Sequence, residues 1–183
     1  RRGDTTLTRE GAGPKPGDWL MLDAPPTPRW NKLVLNLCKW TPFRMAMVRV
    51  VSARGSELRI GQPLRIDFPV VDGARVFAMD LVERCGIEDL AIRQEKDQPW
   101  IQTVLFRYAV NCWGRGVRVD WSGRNPLYGA CVKWMEIRDC EFNESHNRGG
   151  GGSGYVGWEQ GWDCLMEDVT CRKMRHAPNF EWG

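Results

Sequence analysis

Residues 135–142 read "MEIRDCEF", and the spacing of their apolar side chains decides the fold. Met135 and Ile137 lie two positions apart, as do Cys140 and Phe142, while the step from Ile137 to Cys140 is three. A step of two puts side chains on one face of a strand. The step of three needs one extra residue between two strands, and Asp139 stands there. Gly, Asn and Asp are the residues that tolerate a left-handed backbone, so the octet reads as two short strands joined by a one-residue corner. A helix would need steps of three and four throughout, and they are absent.

The octet recurs without gaps as "CGIEDLAI" (85–92), "CWGRGVRV" (112–119) and "CLMEDVTC" (164–171). Its first column is Cys85, Cys112, Met135 and Cys164, and its third is Ile87, Gly114, Ile137 and Met166. The sixth column is Leu90, Val117, Cys140 and Val169, and the eighth is Ile92, Val119, Phe142 and Cys171. The corner column is Asp89, Gly116, Asp139 and Asp168. A further strand precedes each copy: "VFAM" (76–79), "TVLF" (103–106), "GACV" (129–132) and "GYVG" (154–157), with "APNF" (177–180) opening one more coil. Three short strands per turn, recurring every 23 to 29 residues, describe a parallel β-solenoid whose inward columns stack coil on coil.

That register assigns the cysteines a packing role. None of the seven sits in a CxxC pair, and no His is spaced to complete a zinc site. Cys85, Cys112 and Cys164 are expected to be buried and inert, as small hydrophobes. Oxidation of a stacked pair, or a disulfide framework in a secreted protein, stays open. The first third differs. "MVRVVSARGSELRIGQPLRIDF" (47–68) reads as a hairpin turning near Arg54-Gly55, and "KLVLNLCKW" (32–40) fits a short helix or a strand. The organisation expected is one domain, with an irregular cap over 1–75 and parallel coils over 76–183.

Length and composition agree with a single β domain: 183 residues suffice for one core, and 42% hydrophobic with 27% charged residues is ordinary for a globular chain. The net charge of +3 tolerates an acidic partner without requiring one. No apolar run approaches the roughly 20 residues of a membrane span. The sequence opens on "RRGDTT" and stops at Trp182-Gly183, which reads as a piece of a longer protein in which a signal peptide would be invisible.

The segments "GDWLMLD", "ELRIGQPLRIDF", "GIEDLAI", "NCWGRGVRV", "MEIRDCEF" and "GGGGSGYVGWEQGWDCLMEDVTCRKMRHA" resemble the right-handed, single-stranded parallel β-helix of the pectin-lyase-like superfamily. The resemblance covers nearly the whole chain in character and is specific for the fold. It implies an all-β fold, a secreted or cell-surface location, and a polysaccharide as partner, lying in a groove along the first strand of each coil. The superfamily includes polysaccharide lyases, glycoside hydrolases and phage tailspikes, so a fold of this kind does not choose the reaction. Its better-known catalytic signatures do not carry over: no Asn-x-Asp, paired Asp-Asp, Gly-His-Gly and Arg-x-Lys set is present, and no stacked carboxylates occupy 103–106, 129–132 or 154–157. No cofactor is evident in the residues; calcium enters through the resemblance alone.

In this register 145–153 and 172–175 are loops one coil apart, each leading into a groove strand. Neighbouring strands lie about 4.8 Å apart, so His146 and Arg148 are expected near Arg175 and His176. A β-elimination on a uronate needs cations for the carboxylate and a base for the α-proton, roles that suit Arg148, Arg175 and a histidine. Glu159 is the nearest acid and Glu181 the next; Lys173, Tyr155, Trp158 and Trp182 are the candidate sugar contacts. The competing reading makes these charges solvated loop residues and His176 a cap on a coil corner. Of the ten tryptophans, Trp113, Trp134 and Trp162 flank inward columns and read as packing. "GGGGSG" (149–154) reads as a native glycine-rich loop and not as a phosphate loop, since no Lys-Ser/Thr follows it. The function expected is an extracellular lyase or hydrolase acting on an acidic glycan. The alternative is a non-catalytic adhesin, tailspike or glycan-binding module, oligomeric through the open ends of the helix. A nucleic-acid partner is not expected, because no patterned basic face is present.

Overall fold

The computed structural model describes residues 1–10, 13–35, 44–95, 100–149 and 154–181. The chain divides into two compact units, Arg1–Asp80 and Leu81–Gly183.

The first unit is a five-stranded antiparallel sheet in the order β1-β4-β3-β2-β5. It is built from β1 (Thr6–Thr8), β2 (Trp19–Ala24), β3 (Arg44–Arg54), β4 (Glu57–Ile60) and β5 (Arg75–Met79). The expected hairpin is β3–β4, turning at Gly55, whose φ of +56° is cheap only without a Cβ. A short helix α1 (Pro28–Leu33) starts where the Thr27 hydroxyl accepts from the Trp30 amide. It takes the first two residues of the 32–40 stretch; residues 36–40 lie outside the described residues. Leu20, Leu22, Val48, Val50, Leu58 and Ile60 form the buried core. Arg44 is 2% exposed and survives burial because Asp72 pairs with it at 2.6 Å and the Asp67 carbonyl accepts from its Nε at 2.7 Å.

One expectation changes here. The strand at 76–79 forms, but as part of β5, antiparallel to β2 with Trp19 opposite Met79. It does not open the first coil. Its apolar run satisfies either partner, and the choice is made by a strand more than fifty residues earlier.

The second unit is the parallel solenoid. Its coils are β6 (Val82–Glu83), β7 (Gly86–Glu88) and β8 (Ala91–Arg93); β9 (Val104–Val110), β10 (Trp113–Arg115) and β11 (Arg118–Ser122); β12 (Leu127–Lys133), β13 (Glu136–Arg138) and β14 (Glu141–Ser145); and β15 (Tyr155–Trp162), β16 (Leu165–Glu167) and β17 (Thr170–Arg172), after which β18 (His176–Glu181) opens the next. They stack into three parallel sheets: β6-β9-β12-β15-β18, β7-β10-β13-β16 and β8-β11-β14-β17. Ile87, Gly114, Ile137 and Met166 stand in one register, as do Ile92, Val119, Phe142 and Cys171. Val117, Val119, Ile137 and Phe142 are fully buried, each side chain contributing roughly 1.5–3 kcal/mol. Gly114, the exception in its column, leaves the space that Leu127 fills: a Cβ there would stand 2.5 Å from Leu127 Cδ1.

The corner column is left-handed as its residue types require, with φ of 49° at Asp89, 61° at Gly116, 52° at Asp139 and 51° at Asp168. Three further left-handed columns exist: Arg84, Asn111, Trp134 and Asp163, in which only Asn111 and Asp163 are residue types that favour that backbone, and Tyr108, Cys131 and Gln160, and Trp121, Glu144 and Lys173, in which none is. The second of these falls inside the first-sheet strands Val104–Val110, Leu127–Lys133 and Tyr155–Trp162, which run past the four residues expected.

The thiols follow the stack with one correction. Cys112 is buried and Cys164 half-buried, but Cys85 is exposed. It lies on the first coil, where β7 is an edge strand with a neighbour on one side only, and its thiol turns to the Glu83 carbonyl at 3.4 Å.

Candidate functional site

The loops after β14 and β17 meet at Gly154. Its amide donates to the Arg124 carbonyl at 2.5 Å, and its own carbonyl accepts from the amides of Arg175 (2.9 Å) and His176 (3.3 Å). Three successive coils are thereby laced together just before the first-sheet strands begin. Gly154 has φ +69°, and a Cβ on it would stand 3.2 Å from Arg175 Cβ and 3.4 Å from Arg148 Cγ. Both arginines therefore lie over the same glycine. Arg148 Nη1 donates to the Lys173 carbonyl at 3.3 Å, and Arg175 Nη1 donates to the Gly149 carbonyl.

Tyr155 is the hub below them. Asn125 Oδ1 accepts from its amide at 2.9 Å, its ring meets the His176 ring at 4.8 Å, and the Arg175 guanidinium stands 5.8 Å over it. Tyr155 is 7% exposed, while Arg148, Arg175 and His176 are exposed. The result is an edge with two exposed arginines and an imidazole set on a buried aromatic ring. Such an edge offers charge-assisted, bidentate donors to a carboxylate, sulfate or phosphate group.

The remaining expected residues go elsewhere. The His146 ring packs on Trp121 at 5.2 Å, and its Nε2 sits 2.8 Å from the Gln94 carbonyl, so it faces the earlier coils. Lys173, left-handed at the corner, reaches Glu144 at 2.9 Å. Glu159 is half-buried in register with Ala130 and Glu181 on the first sheet. Trp158 corrects an expectation: it is fully buried, packed at 4.9 Å on Phe180 and belonging to the core, so it offers no sugar platform. Val156 and Trp158 share the inward parity of β15, which settles its direction. Trp182 lies outside the described residues. Asn125 was missed by sequence reasoning. It is fully buried in the "SGRNP" turn (122–126), and its carboxamide positions the start of β15. An Asn-Pro pair ahead of a strand is the signal that marks it.

Among the described residues no group of three or more His, Cys, Asp or Glu converges as a metal site, and the carboxylate set that calcium would need is not brought together. Among the described residues no helix is long and apolar enough to cross a membrane.

No family model and no curated protein matches the chain. Solved structures do. The tailspike protein gp49 from Pseudomonas phage LKA1 superposes with a TM-score of 0.64 at 15% identity over 92% of this chain. The tailspike gp61 of Pseudomonas phage phi297 gives 0.64 at 17% identity over 96%. The chain shares their right-handed parallel β-helix. It spans 27% and 30% of the two tailspike chains, less than a third of either. At these identities the β-helix itself is what is common.

Proposed function

We propose that this β-helix is a module of an extracellular or virion-associated protein that binds an acidic polysaccharide along the loop edge of Arg148, Arg175 and His176. The observation that carries the reading is the convergence of two exposed arginines from consecutive coils on Gly154, beside the buried Tyr155 ring. A glycan with one carboxylate per sugar meets such an edge through paired N–H donors, each charge-assisted bond contributing about 1.5–3 kcal/mol. The tailspike neighbours support a glycan-binding or structural role for the fold. Isothermal titration calorimetry with oligogalacturonate and oligoalginate tests the reading. Arg148→Ala and Arg175→Ala are each expected to weaken binding about tenfold, with the circular dichroism spectrum retained. Acidic-glycan binding indifferent to the double variant would overturn it.

One observation favours a lyase over a passive binder. His176 is exposed and held beside Arg175 by its contact with Tyr155, where a base taking the α-proton of a bound uronate would stand. Unsaturated uronate products then appear on incubation with polyuronate, and His176→Ala lowers their rate about 100-fold with binding retained. Reducing ends without unsaturation point to a hydrolase, and neither product to a binding module.

A further inference from the structure

The outer face of the second sheet carries a cleft of about 860 Å³ that the loop edge does not use. It crosses β7, β10, β13 and β16, strands about 4.8 Å apart, and so runs about 14 Å along the solenoid axis. One outward column of this sheet is a ladder of Glu88, Arg115, Arg138 and Glu167, the ordinary charged cover of a solvated face. Beside it two indoles interrupt that pattern. Trp113 lies over Gly86 of the coil before, where any Cβ would stand 2.2 to 2.5 Å from its ring atoms. Its Nε1 donates to Glu88 at 2.7 Å, which holds the half-buried ring where it lines the cleft. Trp134, one coil on, lines the same cleft from the left-handed corner, with the Lys133 ammonium 5.0 Å from its ring centre.

We infer that this cleft is a second glycan site, taking a short uncharged oligosaccharide stacked on Trp113 and Trp134. The volume falls within the roughly 300–1,000 Å³ of small-molecule sites. Pyranose rings present flat C–H faces to indoles, and an extended chain matches a cleft that follows the strand stack. The charges select an uncharged ligand. Arg115 pairs with Glu88 at 3.1 Å, Arg138 with Glu136 at 2.7 Å and with Glu167, and Lys133 with Asp163 at 2.9 Å. A sugar hydroxyl both donates and accepts, so it joins these pairs without breaking them; a uronate carboxylate has to displace one of the acids. The inference stands apart from the loop edge, sharing none of its residues.

The test uses the chain labelled with 5-fluorotryptophan and titrated with cellohexaose, laminarihexaose and maltohexaose, followed by ¹⁹F NMR and calorimetry. At least one hexaose is expected to shift the Trp113 and Trp134 resonances together. Trp134→Ala and Gly86→Ser, the second displacing the Trp113 ring, each weaken that binding about tenfold. Arg148→Ala with Arg175→Ala leaves it unchanged, so this site and the loop edge fail or stand separately. Absence of binding by all three sugars, or shifts confined to other tryptophans, overturns the inference. So does binding that survives both cleft variants.

Discussion

Asp139 shows how much one residue contributes to this solenoid. Its φ of 52° costs an ordinary L-residue about 1–2 kcal/mol, a penalty that Asp softens and Gly removes. Asp139→Val is therefore expected to lower unfolding stability by about 1–2 kcal/mol, with Asp139→Gly close to wild type, read from urea midpoints at constant slope. The thiols differ by position in the same stack. Burial pushes Cys131, Cys164 and Cys171 up to about 11, leaving about one thiolate in ten thousand at pH 7. Cys85 is exposed on the first coil. A thiol reagent followed by peptide mapping is expected to modify Cys85 about a hundredfold faster than those three. Equal rates would mean that the coils open far more readily than their packing implies.

At the scale of elements, what repeats is the spacing of corners. Asn111, Gly116 and Trp121 are five apart in one coil, and Trp134, Asp139 and Glu144 in the next, whereas the run from Trp121 to Cys131 is shorter than that from Glu144 to Gln160. Coil length therefore varies only between the third sheet and the first, in the loops that build the Gly154 edge. Inserting one glycine after Asp139 throws Cys140 and Phe142 out of the inward set and should abolish cooperative unfolding of the solenoid. The same insertion between Gly149 and Gly154 lengthens a segment that already varies and should cost about 0.6 kcal/mol or less. Differential scanning calorimetry of the two insertions separates these outcomes.

Over the whole molecule, carboxylates tied to guanidiniums and amides connect stability to pH. Asp72 is held below the usual carboxylate range by Arg44 and then Arg29, Asp120 by Asn143 and then Arg118, and Glu141 by Asn143 and then Arg172. A carboxylate whose folded pKa is depressed binds fewer protons in the native state. Its contribution is complete above the unfolded value, about 3.9 for Asp and 4.3 for Glu, and is lost as pH falls through the lower folded value. The urea midpoint is expected to be flat from neutrality to about pH 5 and to fall below about pH 4. Asp72→Asn should shallow that fall for the first unit while lowering its stability at neutral pH, since it leaves the buried Arg44 without its counter-charge.

The apolar columns and the Asp/Gly corner were legible in the chain, because strand parity and left-handed tolerance are local properties that recur in four copies. Register also placed Arg148 beside Arg175, since consecutive loops of a solenoid must be neighbours. The other left-handed columns were legible only at Asn111 and Asp163: Arg84, Trp134 and Gln160 adopt that backbone because the coil must turn there, not because their side chains favour it. Tertiary structure alone chose β2 as the partner of Arg75–Met79, left Cys85 on an open coil and sent His146 to Gln94. Each of those outcomes depends on which distant residue leaves space or offers a partner across the stack, and such information is absent from any local window of sequence.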